Sequence, residues 1–185
     1  RKIKFVSPST DFDLQPVWSP DGSKIAFMRE PAAKPVIFVP VREAEPWGIM
    51  VADVSTGQAN QVWKADKGMG SAFREIVAEN QLFWMNSNHL VFPWEKTGWT
   101  HLYSLDLASK AVSQLTKGNF EVEYVAISPD NKSLIINSNQ DDIDRRHIWE
   151  VAATGKAPVL LTTGKNIEWD GAYLSDGKTL VFLQS

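Results

Sequence analysis

Two short segments combine charge with indole rings in a way that could hold a ligand. Arg42-Glu43-Ala44-Glu45-Pro46-Trp47 gathers a guanidinium, two carboxylates and an indole; Pro93-Trp94-Glu95-Lys96-Thr97-Gly98-Trp99 gathers a carboxylate, an ammonium and two indoles. Charged groups of this kind pair with peptide termini through charge-assisted hydrogen bonds, and an indole face attracts a cation. Arg42, Glu43, Glu45, Trp47, Trp94, Glu95 and Trp99 are therefore the candidate substrate-binding residues. The competing reading of each segment is a solvated loop with a packed tryptophan.

Other constellations fall short of the chemistry they suggest. Asp141-Asp142-Ile143-Asp144-Arg145-Arg146 clusters carboxylates but lacks the glycine and distal glutamate of a calcium loop, and reads as a charged hairpin with internal ion pairs. Gly68-Met69-Gly70-Ser71 opens like half of a phosphate loop, but no Lys-Ser/Thr pair follows. No glycine is followed two positions later by serine, so the strained nucleophile turn G-x-S-x-G is not in this chain. His89, His101 and His147 all fall in apolar strand-like runs, where a single histidine is usually structural. With 0 cysteines there is no thiolate ligand or nucleophile. No catalytic residue, metal site or cofactor is expected in these residues.

The bulk composition narrows the partners. A net charge of −3 supplies no basic surplus for a phosphate backbone, so nucleic acid is not an expected partner. Apolar runs such as Pro35 to Val41 are far shorter than the ~20 residues of a membrane helix, and no membrane span is expected. At 185 residues, 43% hydrophobic and 22% charged, the chain is a folded domain or part of one.

The elements that must carry the candidate loops come from an internal repeat. Val17-Trp-Ser-Pro-Asp-Gly-Ser-Lys-Ile-Ala-Phe27, Phe83 to Phe92, Ala126-Ile-Ser-Pro-Asp-Asn-Lys-Ser-Leu-Ile-Ile136 and Tyr173-Leu-Ser-Asp-Gly-Lys-Thr-Leu-Val-Phe182 align as strand, turn, strand. Asp-Gly and Asp-Asn accept the positive φ that a two-residue hairpin requires. A third strand follows at Ile49, His101 and His147, and a fourth at Asn60–Trp63, Val112–Leu115 and Pro158–Leu161. The turn recurs at positions 19, 85, 128 and 175, and the last two steps are close to the ~40–45 residues of a four-stranded propeller blade. No helical periodicity of useful length intervenes.

The expected fold is all-β: an incomplete β-propeller of four-stranded antiparallel blades, about three full blades plus parts of two more. Residues 1–12 read as the tail of a preceding blade and 13–73 as a blade with a long insertion at 31–46. Residues 74–118 and 119–164 read as two further blades, and 165–185 as the first strands of another. The two candidate loops then occupy equivalent positions in successive blades and would share a rim. Trp18, Trp84 and Ile127 recur at one position and are expected between blades. A closed ring needs roughly 4–8 blades, so the chain is expected to be part of a longer protein, with open blade edges that invite self-association.

The Ser-Pro-Asp-Gly type hairpins at Ser19 and Ser128 resemble the repeats of TolB-type propellers and of prolyl oligopeptidase-family propellers. Gly98-Trp-Thr-His-Leu-Tyr-Ser-Leu-Asp-Leu107, followed by Gln114-Leu-Thr-Lys-Gly-Asn-Phe-Glu-Val122, is similar to the dipeptidyl peptidase IV N-terminal region. Pro93 to Trp99 and Asp144-Arg-Arg-His-Ile-Trp149 look like bacterial members of that family. The resemblance implies a propeller that gates and positions peptide substrates over an α/β-hydrolase domain of the same parent chain, where a catalytic serine would act. That hydrolase domain is absent from these residues. The glutamate pair of the dipeptidyl peptidases is missing before Trp18, where Asp11 and Asp13 stand instead, which leaves the peptide specificity open. The alternative is a TolB-like, non-enzymatic scaffold in the bacterial envelope; a sugar-binding propeller using tryptophan platforms is a third reading. A periplasmic or secreted location is the expectation for the parent.

Overall fold

A computed structural model of the chain describes residues 3–32, 45–86 and 88–185, and among them every regular element is a strand. The first sheet is built in order from β1 (Phe12–Trp18), β2 (Lys24–Glu30), β3 (Gly48–Asp53) and β4 (Ala59–Lys64). After the short β5 (Val77–Ala78) comes a second sheet of β6 (Phe83–Met85), β7 (His89–Trp94), β8 (His101–Asp106) and β9 (Val112–Gln114). The third holds β10 (Val122–Ile127), β11 (Ser133–Ser138), β12 (His147–Ala152) and β13 (Val159–Leu160); β14 (Glu168–Tyr173) and β15 (Leu180–Gln184) pair as a fourth. The architecture is the expected open, incomplete propeller.

Strand alternation explains why the sheets stack face to face. In β7, Leu90, Phe92 and Trp94 join the core shared with the first sheet, while Val91 between them joins the core shared with the third. Successive side chains of a strand point to opposite faces, so a strand apolar at every position must be covered on both sides. On the third sheet, Leu134 and Ile136 face the second, and Ile135 turns the other way toward Gly171 of β14. The outer face of the first sheet carries a small cluster of Phe27, Met50 and Ala52, covered in part by Val6.

The repeated hairpin turn is longer than the two-residue loop its sequence suggested. Ser19 N–H donates to the Lys24 carbonyl (3.0 Å), leaving residues 20–23 as the loop, and Ser128 with Ser133 (2.9 Å) and Leu174 with Thr179 (2.9 Å) repeat the closure. The aspartate organises the turn from inside. Asp21 accepts from Ser19 Oγ (2.6 Å), Ser23 N–H (3.0 Å) and Ser23 Oγ (2.9 Å), which holds its carboxyl down to about 2. The positive φ that the sequence demanded is present at Gly22, Asn131 and Gly177.

Two further features depart from the repeat. Trp84 is buried, as expected, but Trp18 is 58% exposed and Ile127 is partly exposed. Val17 faces the second sheet, so its neighbour Trp18 must face the other way, where no described sheet lies; Ile127 ends β10 at the rim. The second departure is β5, which pairs in parallel with β10 (Val77 beside Tyr124, Ala78 beside Val125) and gives the third sheet a fifth strand. The segment joining the first two sheets is thus stitched to the third.

Candidate functional site

The two equivalent tryptophans meet, but inside the protein. Trp47 Nε1–H donates to the Gly70 carbonyl (3.2 Å) and Trp94 Nε1–H donates to the same oxygen (2.9 Å). Trp47 is 1% and Trp94 5% exposed, within an aromatic cluster completed by Trp63, Phe73, Phe92 and Tyr103. Gly70 itself has φ +73° and approaches Trp94 so closely that a Cβ would lie 2.5 Å from Nε1. Arg42 and Glu43 lie outside the described residues, and Glu45 is half-buried just before Trp47. Glu95 and Trp99 stay on the turn after β7, which Gly98 N–H closes onto the Glu95 carbonyl (3.1 Å); Trp99 is 36% exposed.

Glu95 leads to a site that the loop-by-loop reading missed. Arg74 Nη1 lies 3.0 Å from Glu95 and 3.6 Å from Glu121, each with half-exposed side chains. Next to it Glu123 receives Arg146 through three contacts of 2.9 to 3.1 Å. Arg74, Glu75, Glu121, Glu123 and Tyr124 line an open cleft of about 260 Å³ beside β5 and β10. Carboxylates outnumber guanidiniums here, so the cleft favours a cationic group. The signal was present in Glu121-Val122-Glu123: alternation places the two carboxylates on one side while Val122 enters the core.

The histidines bind structure together. His101 Nε2–H donates to the Gly118 carbonyl (3.1 Å), and its Nδ1 accepts from Thr116 Oγ1 (3.0 Å), which in turn accepts from Leu102 N–H (3.0 Å). Phe120 sits edge-on to the imidazole at 5.0 Å. Burial pushes the His101 imidazole below its ordinary range, against the Gly118 bond and the Glu121 charge. His147 Nδ1 is 2.7 Å from Glu168 Oε2, and Thr162 Oγ1 donates to that oxygen at 3.2 Å. This hydroxyl, carboxylate and imidazole are in the wrong order for nucleophilic catalysis, which needs the imidazole between the other two. The Thr162 hydroxyl also accepts Ile148 N–H (2.9 Å), so the cluster serves as a joint between the third sheet and β14.

At the acidic stretch, Arg145 pairs with Asp142 at 3.0 Å, and Asp144 N–H caps Asp142 Oδ1 at 3.1 Å. Arg145–Asp142 is an internal ion pair of the kind the sequence suggested, whereas Arg146 pairs outside the stretch, with Glu123 of β10. Among the described residues no group of three or more His, Cys, Asp or Glu side chains could hold a metal.

Stacked four-stranded antiparallel sheets with hairpin connections, left open at the ends, define a partial β-propeller. The chain belongs to the family described as the dipeptidyl peptidase IV (DPP IV) N-terminal region, which its sequence matches over residues 41–183. Solved structures agree on the fold. A putative dipeptidyl aminopeptidase IV from Bacteroides ovatus superposes with a TM-score of 0.65 at 14% identity, over 96% of this chain and 26% of its own. Prolyl endopeptidases analysed for inter-domain dynamics give 0.63 at 17%, over 95% of this chain and 25% of theirs. TolB from Acinetobacter baumannii gives 0.57 at 20%, over 95% and 38%. This chain therefore spans well under half of each of these proteins. No curated protein matches it in sequence.

Proposed function

We propose that the chain is part of the N-terminal β-propeller of a serine peptidase, and that it gates and positions peptides for an α/β-hydrolase domain of the same parent protein. The observation that carries this reading is the family match over residues 41–183. The cleft beside β5 and β10 supports a positioning role, because its surplus of carboxylates suits the ammonium of a peptide's amino end. Arg146 holds Glu123 in place through three contacts of 2.9 to 3.1 Å, so that carboxylate is preorganised. The reaction itself would be acyl transfer through a serine outside these residues.

The test uses the intact parent protein. It should cleave short peptides, label with a serine-directed fluorophosphonate and lose activity on labelling. Glu123→Gln should raise KM for peptides with a free amino end several-fold and leave N-acetylated peptides nearly unchanged. A parent that never acylates overturns the peptidase reading and leaves a binding scaffold, a role that the TolB likeness accommodates at the level of fold.

A further inference from the structure

The seams between successive sheets differ in chemistry. Trp47, Phe92 and Trp94 fill the seam between the first and second sheets, and Val91, Leu134 and Ile136 the seam between the second and third. The seam between the third sheet and β14 is different. Among the described residues, no side chain of β14 or β15 enters a buried apolar cluster. Apolar contact there is Gly171 against Ile135 and Ile148, so close that a Cβ on Gly171 would lie 2.6 Å from Ile148 Cδ1. The rest of that face is polar. Asn137 stands opposite Ile148 across β11 and β12, and Glu150 opposite Ile135, so all four share one face. Ser133 follows Ile135 by alternation and donates its hydroxyl to Glu150 Oε1 at 2.6 Å. Asn137 is fully buried; its Nδ2 donates to the Glu168 carbonyl, while its Oδ1 has no hydrogen-bond partner. The buried Glu168 carboxylate and His147, 2.7 Å apart, complete the joint. An unpaired buried acceptor and a buried ion pair both make a closed seam less stable than an apolar one of the same size.

We propose that the propeller opens at this seam, with β14 and β15 swinging away from the third sheet while the first three sheets move as one body. The segment between β4 and β6 ties those three together: the Gly70 carbonyl takes both indoles, and Val77–Ala78 pairs with β10. Polar interfaces between packed units allow relative motion, whereas large apolar ones lock it. Opening here exposes groups that water satisfies, because Asn137 Oδ1 gains a partner and Glu168, His147 and Glu150 are rehydrated. Opening either of the other two seams would instead expose indoles, leucine and isoleucine. β10 and β14 begin their blades and stand at the central channel, so a gap between the sheets leads from outside into it. Through that gap a peptide enters the propeller from the side. This entry route rests on the peptidase reading; the opening itself does not.

The experiment places pairs of nitroxide labels on the intact parent protein and reads their separation by pulsed electron resonance. Lys132→Cys with Lys178→Cys spans the seam at two exposed turns in equivalent positions; Ser109→Cys with Lys156→Cys spans the second and third sheets as the control. The seam pair should show two populations, the longer by several ångströms, and the control pair a single one. Glu168→Ala should enlarge the longer population. Ser133→Val with Glu150→Leu should shrink it, because both partners of one hydrogen bond give way to apolar groups. Should Glu168→Ala fail to fold, which would broaden the control pair too, the unsubstituted parent and the double variant decide alone. A single separation for the seam pair in the unsubstituted parent overturns the proposal, and so does a longer population that the double variant leaves unchanged. Cleavage is a separate readout: the double variant should slow hydrolysis of a long peptide several-fold and leave a dipeptide-sized substrate unchanged. Long and short substrates both unchanged overturn the entry route. A parent that cleaves no peptide removes the peptidase reading and leaves the opening to stand or fall on the distances.

Discussion

Trp47 and Trp94 donate their indole N–H groups to one oxygen, the carbonyl of Gly70, at 3.2 and 2.9 Å. They belong to successive sheets, and the acceptor belongs to the segment that links those sheets. Further along that segment, Arg74 pairs with Glu95 and Glu121, and Val77–Ala78 joins β10. One connecting segment therefore ties three sheets together, which gives it a structural duty that its glycine-rich sequence did not announce.

Gly70→Ala should destabilise the protein strongly. The new Cβ would meet Trp94 Nε1 at 2.5 Å, and φ +73° disfavours any side chain. The expected loss is about 2 kcal/mol or more, read as a lower denaturation midpoint. Trp94→Phe removes one of the two donors and should cost about 1–2 kcal/mol.

Removing Glu168 should loosen the joint between the third sheet and β14. The carboxylate is nearly fully buried and serves both His147 and Thr162. Glu168→Ala is expected to cost about 3 kcal/mol, because it strands buried polar partners. Hydrogen exchange should show the β14–β15 pair losing protection before the second sheet does.

Acidification should destabilise the protein through His101. Its folded pKa lies below the ordinary value of 6.5, so the unfolded chain binds the proton more readily. The stability this histidine contributes is complete above pH 6.5 and declines as pH falls through 6.5 toward the lowered folded value. Thermal unfolding between pH 7.5 and 5 should show this decline, and His101→Gln should flatten the slope while lowering stability throughout.

Gly171 is a close-packing glycine. A Cβ there would lie 2.6 Å from Ile148 Cδ1 and 3.0 Å from its Cγ2. Gly171→Ala should cost about 1–2 kcal/mol by overpacking. Ile148→Val removes the nearer methyl and should recover part of that loss in the double variant, measured as a non-additive midpoint.

Much of the architecture was legible because the repeat is written in local chemistry. Ser-Pro-Asp-Gly closes its own turn through Ser19 and Asp21, and runs such as Leu134-Ile-Ile136 are apolar at every position because neighbours cover both faces. The two segments that carried the family resemblance also have a physical explanation. His101 from the first meets Thr116, Gly118 and Phe120 from the second, in one buried cluster joining β8 to the crossover into the third sheet. The turn length was misjudged because Ser19 N–H bonds to Lys24, a pairing that Asp-Gly alone does not specify.

The sequence by itself determined the all-β class, most of the strands and where the chain turns between them, since alternation and turn residues act over a few positions and need no distant partner. Only the tertiary structure decided what the tryptophans do. Trp47 and Trp94 read as rim residues along the chain, yet stacking the first two sheets buries both indoles, and their N–H groups must then find an acceptor away from water. Arg74, Glu121 and Glu123 became neighbours for the same reason. Their meeting depends on a segment crossing to the edge of another sheet, a long-range pairing that no local pattern encodes.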